Sequence, residues 1–455
     1  MRSPTDERLL HLPTWPITAL LVGFPVWWVL GIGTLAWPLA ALVMAAYLAR
    51  VGDVHVPRGT GLWLLFLVWM SFSVLQLESL TSVVGFGYRW ALYVACTVIF
   101  VYLYNLRVPD VSEFLLRRLT VFFAVVVAGG FLGLLLPTLT VRTPLSYLLP
   151  AGLLSNDLVR EIVIVGTTQF NPDAWTYRDP RPSAPFQYTN NWGNAYSILL
   201  PLVVTYLFKL RGTRAFMPVI MLAAASVIPA FLTLNRGMFL GLGVAALVVA
   251  LRHALHGNGR ALLGVVAASA IGLLLFRVLP VTERLDTRLE SSGTNESRLT
   301  VYTETIAETI RSPWFGYGAP RPAEASGVPP LGTQGQLWMV MFSHGFVGVA
   351  LFVAWFIVLI VRTFRRATLL GITYNAVLVV ALVEIFYYGF LVQGLVLTMM
   401  VAAVALRGVE TAREDASLRA ETLDVHASGG GRSRSAQHIS AATRPQGASG
   451  RMSDP

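Results

Sequence analysis

Long apolar runs recur through this chain and constrain its fold more than any other feature of the sequence. A membrane-spanning helix needs about 20 predominantly apolar residues, and apolar residues make up 55% of the 455 residues. Only 13% are charged, against about 25% in soluble domains, which excludes a soluble globular protein. We therefore predict an all-α, polytopic membrane protein of about 12 spans. The predicted spans lie near 15–33, 35–49, 60–77, 88–104, 119–137, 192–208, 216–234, 237–251, 260–279, 337–361, 374–392 and 393–406.

The basic residues predict the orientation of these spans. If the N-terminus is cytoplasmic, the cytoplasmic connectors carry 13 of the 34 Arg and Lys residues. Of the four short outer connectors, 31–35 and 392–394 carry none, and the other two carry one each, Arg89 and Arg236. This is the usual distribution in membrane proteins, so we predict a multi-pass protein of the plasma (inner) membrane with cytoplasmic termini. Residues 1–410 then form the membrane domain, and 411–455, rich in Gly, Ser and Arg, form a disordered cytoplasmic tail. The net charge of +10 mostly reflects this topology, and no nucleic-acid partner is expected.

Two long connectors, 138–191 and 280–336, fall on the predicted outer side. Connectors longer than about 15 residues are usually functional or disordered. Both contain bulky aromatic and aliphatic residues, which favours ordered structure and an extracytoplasmic site. The lone Cys96 excludes an intrachain disulfide and a cysteine metal site, and we expect neither a metal nor another cofactor.

The second connector contains a segment, 296–311, with the spacing of an amphipathic helix. Its apolar residues Leu299, Tyr302, Ile306 and Ile310 recur at intervals of three and four. In one interpretation this helix lies on the bilayer, and Arg298 only extends to the membrane surface. In the other, the helix is a lid that carries Arg298 over a site, with Tyr302 one turn away.

A second candidate, Arg236, lies in the short outer turn between two predicted spans. The free N–H groups and the dipole at the start of a helix favour an anion, and arginine binds phosphate well. This combination indicates a diphosphate site. The alternative is an arginine that only reaches the membrane surface.

Several short motifs follow one another in a fixed order between residues 60 and 406, on the predicted outer side. They are N-N-W-G-N-A at 190–195, N-R-G at 235–237, R-L-T-V-Y at 298–302, P-W-F-G-Y-G at 313–318, G-T-Q-G-Q-L-W at 332–338 and G-F-V-G at 345–348. In this order they resemble the O-antigen ligase and polymerase family.

The resemblance implies transfer of a glycan from a polyprenyl diphosphate to an acceptor hydroxyl, outside the membrane and without a metal or nucleotide. The acceptor is a glycan or a glycolipid. Arg236 and Arg298 would hold the diphosphate and stabilise its developing charge. The histidine of family ligases falls at Gln334. Glutamine cannot act as a general base near neutral pH, but as a candidate catalytic residue Gln334 could orient a hydroxyl or a phosphate oxygen.

Two intramembrane residues, His344 and Glu384, are candidates to replace that histidine. Counted along their predicted spans, both lie at a similar depth below the outer edge. Ionisable groups inside membranes are costly and often functional, so we predict a His344–Glu384 pair. A pair that only fixes helix packing, or a neutral Glu384 bonded to a carbonyl, is the alternative.

The first connector combines aromatic and amide side chains, which suit contacts with sugars. Its candidate substrate-binding residues are Arg178, Arg181, Tyr188 and Asn190. Arg89, at the outer start of its predicted span, is a candidate third cation for the diphosphate. Ordinary interfacial packing of these residues is the alternative.

The sequence does not distinguish a ligase, which transfers a whole glycan, from a polymerase, which adds repeat units. A lipid-linked oligosaccharide flippase or another polytopic transporter is the competing class. Transporters more often carry charge through the middle of the membrane and broken helices in matching halves. Here the charge outside the cytoplasmic segments is concentrated at the outer mouth and in the two long outer connectors, which favours one-sided chemistry. A peptidoglycan-type polymerase is a third possibility, but no essential acid in an outer loop identifies it.

Overall fold

The computed structural model describes residues 11–155, 157–169, 180–257, 259, 263–264, 270, 294–325 and 328–411. Residues 1–407 belong to one compact unit, and 408–455 to a second. The span predicted near 260–279 lies almost entirely outside the described residues, as do Arg178 and the tail predicted from 411.

Helices dominate the described part of the chain. They are α1 (Trp15–Val22), α2 (Phe24–Leu30), α3 (Ala36–Val51), α4 (Thr60–Phe72), α5 (Leu80–Asn105), α6 (Val111–Leu135), α7 (Pro144–Leu148), α8 (Ala151–Leu154), α9 (Asp157–Val163), α10 (Thr189–Leu210), α11 (Phe216–Ala225), α12 (Val227–Leu232), α13 (Arg236–Leu255), α14 (Thr294–Arg311), α15 (Gln336–Phe364), α16 (Leu369–Glu384) and α17 (Gln393–Thr411). A 3₁₀ turn, Ser73–Gln76, follows α4. Six of these helices, α5, α6, α10, α13, α15 and α17, are long and apolar enough to cross a membrane.

A helix or a pair of short helices overlaps each predicted span that lies in the described residues. Two predicted spans are divided: the first breaks at Gly23, and the one near 216–234 breaks at Ser226. A proline follows each break, and its missing N–H and fixed φ interrupt helical hydrogen bonding. The span predicted over 374–392 also ends early, because α16 stops at Glu384 and an irregular segment leads to α17.

The first connector contains strands that the sequence does not predict. Thr140–Arg142 (β1) pairs antiparallel with Ile164–Gly166 (β2), and Thr168–Gln169 (β3) pairs with Arg181–Pro182 (β4). Their pairing is too short and too distant in sequence to produce a recognisable alternating pattern. Together with α7, α8 and α9, these strands give the described part of this connector a regular structure.

The centre of the molecule lies at α10, α16 and α17. In the most apolar stretch of α17, 78% of the residues are buried, against 28% in α13. The Asn191 side-chain amide of α10 donates to the Gln393 amide oxygen of α17 at 3.0 Å. The helix α13 therefore packs with its inner side on this centre and presents much of its surface outward.

The long helix α15 is broken near its start. Gly345 has φ 70° and ψ −173°, which no continuous helix allows. The segment Pro313–Gly318 from the second connector crosses this break, and the Phe346 N–H donates to the Pro313 carbonyl at 2.8 Å. The glycine- and aromatic-rich segment is thus a structural part of the helix bundle.

Two further backbone hydrogen bonds join the segment Pro313–Gly318 to α15 just before the break. The Tyr317 N–H donates to the Phe342 carbonyl at 2.9 Å, and the Gly318 N–H donates to the Ser343 carbonyl at 2.9 Å. At Gly316, with φ 60°, a Cβ would lie 2.3 Å from the Phe342 oxygen. Only glycine fits at this position. The Phe342 and Ser343 carbonyls, which lack helical partners at the break, are hydrogen-bonded by this segment, as buried polar groups in a membrane require.

Candidate anion-binding site

The start of α13 has an unusual conformation. Leu234 has φ 51°, the one positive φ among the described non-glycine residues. The next residue, Asn235, is the N-cap, but its side chain makes no capping bond. Its amide donates to the Thr189 carbonyl at 3.2 Å, and its oxygen accepts from the Tyr388 hydroxyl. The start of α13 is therefore left without a side-chain cap, and Arg236 is its first residue.

A cavity of about 280 Å³ opens beside this helix start. Its lining includes three arginines that come from three different segments of the chain. The lining residues are Arg181, Asn190, Leu234, Asn235, Arg236, Gly237, Leu240, Arg298, Tyr387 and Tyr388. Both connectors therefore meet at one end of the bundle.

Arg181 reaches the cavity through the small β3–β4 sheet, in which it pairs with Gln169. Its Nε donates to the Thr233 carbonyl at 2.8 Å, close to the end of α12. Strand pairing and this bond together fix the guanidinium beside the start of α13.

Arg298 is carried by α14, which packs on the first turns of α15. The ring of Tyr302, one turn further along α14, stacks on Trp338 with centroids 4.4 Å apart and an interplanar angle of 13°. Burial raises the pKa of Tyr302, and the nearby Arg298 guanidinium acts in the opposite direction. The stacked pair thus holds the helix that positions Arg298.

The charged residues in the described lining of the cavity are all arginines. No Asp or Glu occurs among its lining residues in the described part of the chain. Arg236 is also placed at the positive end of a helix dipole, where acidic side chains are usually favoured. A bound anion would reduce both the repulsion between arginines and this dipole penalty.

Comparison with known families identifies part of the chain. Residues 219–353 match the family model for the O-antigen ligase. This segment is O-antigen ligase-like. It contains Arg236 and Arg298, and it supports a membrane enzyme of the cell-surface glycan ligase or polymerase type. No curated protein matches the chain.

Four residues predicted from sequence line the cavity: Arg181, Asn190, Arg236 and Arg298. Two of them belong to the O-antigen ligase-like segment, and two to the preceding connector. Arg178 lies outside the described residues. In the described chain, no cluster of three His, Cys, Asp or Glu side chains could hold a metal ion.

Two further substrate-binding candidates lie outside the lining. Tyr188 precedes Asn190 by two residues, and its hydroxyl donates to the Glu161 carboxylate at 2.6 Å. Arg89 donates through Nη2 to the Gly318 carbonyl at 3.2 Å, so it supports the segment that crosses the α15 break. The third cation of the cavity is Arg181 and not Arg89, which corrects the sequence prediction.

Gln334, at the position of the family histidine, is also absent from the described cavity lining. The nearby Gln336, at the start of α15, is buried instead. Its amide nitrogen donates to the Tyr93 hydroxyl at 2.6 Å, and its amide oxygen accepts from the Phe390 N–H at 2.8 Å. Gln336 therefore joins α5 to the irregular segment after α16.

The predicted pair of His344 and Glu384 is wrong. The His344 Nδ1 lies 3.0 Å from the Ser73 hydroxyl. Glu384 instead accepts from the Asn194 amide at 2.6 Å, and its other oxygen has no hydrogen-bond partner in the described structure. Similar depth in sequential helices does not determine which way each side chain points. Both residues are buried outside the cavity lining.

Sequence reasoning missed Asn235, Tyr387 and Tyr388 as cavity residues. The two tyrosines belong to the irregular segment that was predicted to continue a span. The Tyr387 hydroxyl donates to the Gly237 carbonyl at 3.1 Å. Polar tyrosines at the end of an apolar run could have signalled a helix end instead of a further helical turn.

Proposed function

We propose that the chain transfers a glycan from a polyprenyl diphosphate to an acceptor hydroxyl on the outer side of the plasma membrane. The observation that carries this proposal is the convergence of Arg181, Arg236 and Arg298 on one cavity whose described lining contains no acid. Arginines bind phosphate oxygens through paired charge-assisted hydrogen bonds. A diphosphate is therefore the group that best fits this cavity.

The chemistry requires stabilisation of a leaving group. The acceptor oxygen forms a bond to the anomeric carbon and releases its proton, while the bond from that carbon to the diphosphate oxygen breaks. The electron pair remains on the diphosphate, which gains one negative charge. Arg236 and Arg298 would stabilise this charge as it develops, and the uncapped N–H groups at the start of α13 would add to their effect.

The remaining lining suits the two ends of such a donor. Leu234 and Leu240 are apolar, and Leu240 is exposed on the outward side of α13. A polyprenyl chain would leave the cavity along such a surface. Asn190, Tyr387 and the nearby Tyr188 offer amide and aromatic groups to the glycan.

In this proposal the cavity faces outward and both termini are cytoplasmic, as the charge distribution predicts. The acceptor hydroxyl belongs to a separate molecule in a ligase and to another lipid-linked glycan in a polymerase. A polymerase would build a ladder of chain lengths, and loss of its activity would leave single repeat units on the surface.

The test is the pool of polyprenyl-diphosphate-linked glycan in a deletion strain of the source organism. The strain is complemented with the wild type, Arg236→Ala, His344→Ala or the exposed control Arg142→Ala. Radiolabelled lipid extraction measures the pool, accessibility of the glycan to a membrane-impermeant glycosidase in spheroplasts reports its leaflet, and immunoblots establish that each variant reaches the membrane. We expect outward-facing lipid-linked glycan to accumulate with Arg236→Ala while surface polymer falls.

The control variants separate the alternatives. Arg142→Ala should behave as the wild type, and His344→Ala should change transfer only as far as its membrane abundance changes. A pool that stays inward-facing in the deletion strain would mean that the protein moves the lipid across the membrane, and the transferase proposal would be wrong.

A further inference from the structure

The helix α14 presents one side to the protein core, and this side is mostly polar or small. Val301, Thr305 and Thr309 are buried there, at intervals of four residues. Val301 packs with Leu331 and Phe342 in a small apolar cluster. The side chain of Arg298 lines the cavity from an adjacent position on the same helix.

The apolar side of α14 does not pack on the protein. Leu299 is 64% exposed, Ile306 39% and Ile310 63%. These residues lie within about 40° of one another on a helical wheel of 3.6 residues per turn, and we call them the α14 stripe. Of the four apolar positions predicted from sequence, only Tyr302 is held against α15. The third side of the helix carries Glu304, Ala307 and Arg311, so α14 has a core side, an apolar exposed side and a polar side.

Aromatic residues with exposed or clustered rings follow the α14 stripe along the chain. Trp314 follows α14 and is 64% exposed, and its carbonyl accepts from the Trp69 indole at 3.1 Å. The adjacent Phe315 packs against Phe72 at the end of α4, with ring centroids 6.0 Å apart. Tryptophan and other aromatic residues concentrate at the level of the lipid headgroups.

We propose that α14 docks on the outer leaflet of the bilayer through the α14 stripe, with its polar side toward water. Amphipathic helices bind lipid surfaces in this way, with the apolar side buried at the boundary between headgroups and acyl chains. Both interpretations from the sequence, a helix on the bilayer surface and a helix that carries Arg298 over a site, are then compatible. The helix lies on the membrane, and because Arg298 points to the cavity, docking keeps this guanidinium at the level where the headgroup of a membrane lipid lies.

The test uses the single cysteine of the chain. Cys96 is buried, and Cys96→Ala provides a background for single cysteines labelled with the environment-sensitive fluorophore NBD. Leu299→Cys and Ile310→Cys report on the stripe, and Ala307→Cys on the polar side. Leu64→Cys, exposed in the middle of α4, is the lipid-facing reference. Each full-length variant is reconstituted into phosphatidylcholine vesicles, with or without doxyl-labelled lipid.

We expect doxyl lipid to quench the labels at Leu299→Cys and Ile310→Cys to at least half the extent seen at Leu64→Cys. Iodide added to the aqueous phase should quench them several-fold less than it quenches Ala307→Cys. Equal quenching by iodide at the stripe and at Ala307→Cys would overturn the proposal. Shielding from both quenchers, with disulfide crosslinking at Ile310→Cys, would assign the stripe to a second copy of the chain and would also overturn it. These measurements need no turnover, so their outcome is independent of the proposed transferase function.

Discussion

The cavity at α13 and the break in α15 are both places where a connector meets the end of a helix, but their polar groups are treated in opposite ways. At the α15 break, the Tyr317 and Gly318 N–H groups pair with carbonyls, and Arg89 pairs with the Gly318 carbonyl. At the cavity, Arg236 and Arg298 form no ion pair with a described carboxylate, and the N-cap side chain is turned away. The paired groups at the α15 break support the fold, whereas the arginines at the start of α13 are the ones that the proposed function assigns to the diphosphate.

The largest expected effect is on the rate of glycan transfer, and it should distinguish Arg298 at the cavity from Arg89 at the α15 break. For Arg298→Ala we expect a loss of about 2–4 kcal/mol of transition-state stabilisation, equivalent to roughly 30- to 1000-fold in transfer rate. Its thermal stability should stay near that of the wild type. Arg89→Ala should instead lower stability by about 1–2 kcal/mol and keep most of the transfer per folded molecule.

Both variants are measured by glycan transfer per mole of folded protein and by thermal unfolding in detergent. If Arg89→Ala abolished transfer with an unchanged melting temperature, the division into a structural and a ligand-binding arginine would fail.

Residues whose role depends on local sequence could be predicted, and residues whose role depends on distant contacts could not. Arg236 and Arg298 were identified because a cation beside an outer helix end is chemically informative wherever it occurs. The role of Arg181 depends on the pairing of two-residue strands, and the distance between such partners in sequence hides them. The His344–Glu384 pair failed for a geometric reason: position along a helix gives the depth of a residue but not its direction around the bundle.

The glycine- and aromatic-rich segment Pro313–Gly318 was likewise visible in the sequence, but its insertion into α15 was not. A run of apolar residues that contains only two glycines, Gly345 and Gly348, predicts a continuous span. The positive φ of Gly345 becomes necessary only when another segment supplies hydrogen bonds at that position. Tertiary contacts therefore decided the break, and local sequence did not.

The second prediction concerns the fit at this break. In Gly316→Ala the new Cβ would lie 2.3 Å from the Phe342 oxygen, at a residue with φ 60°. We expect a loss of about 2–4 kcal/mol of stability from backbone strain and overpacking. Gly243→Ala is the matched control, because a Cβ there has no neighbour within 4 Å. Thermal unfolding and membrane abundance measure both, and a Gly316→Ala variant as stable as Gly243→Ala would refute the tight crossing.

The smallest effect is expected at the edge of the cavity, where the Tyr188 hydroxyl and the Gln187 amide both donate to the Glu161 carboxylate. Burial and the neighbouring Glu161 raise the pKa of Tyr188. Tyr188→Phe should cost about 0.5–1.5 kcal/mol of stability at neutral pH, because one charge-assisted bond is lost, and should change transfer only a few-fold.

The difference in stability between the wild type and Tyr188→Phe should decrease at alkaline pH. An unfolded tyrosine ionises near pH 10, and the folded pKa is higher, so the contribution of the hydroxyl is complete below about pH 10 and is lost as pH rises through the folded pKa. Thermal unfolding of the wild type and of Tyr188→Phe from neutral to strongly alkaline pH measures this contribution of the Tyr188 hydroxyl. A stability difference that grew above pH 10 would contradict the bond to Glu161. Because phenylalanine keeps the ring, a difference near zero throughout would mean that the Tyr188 hydroxyl does not stabilise this connector, and a constant difference would mean that its contribution does not depend on its ionisation.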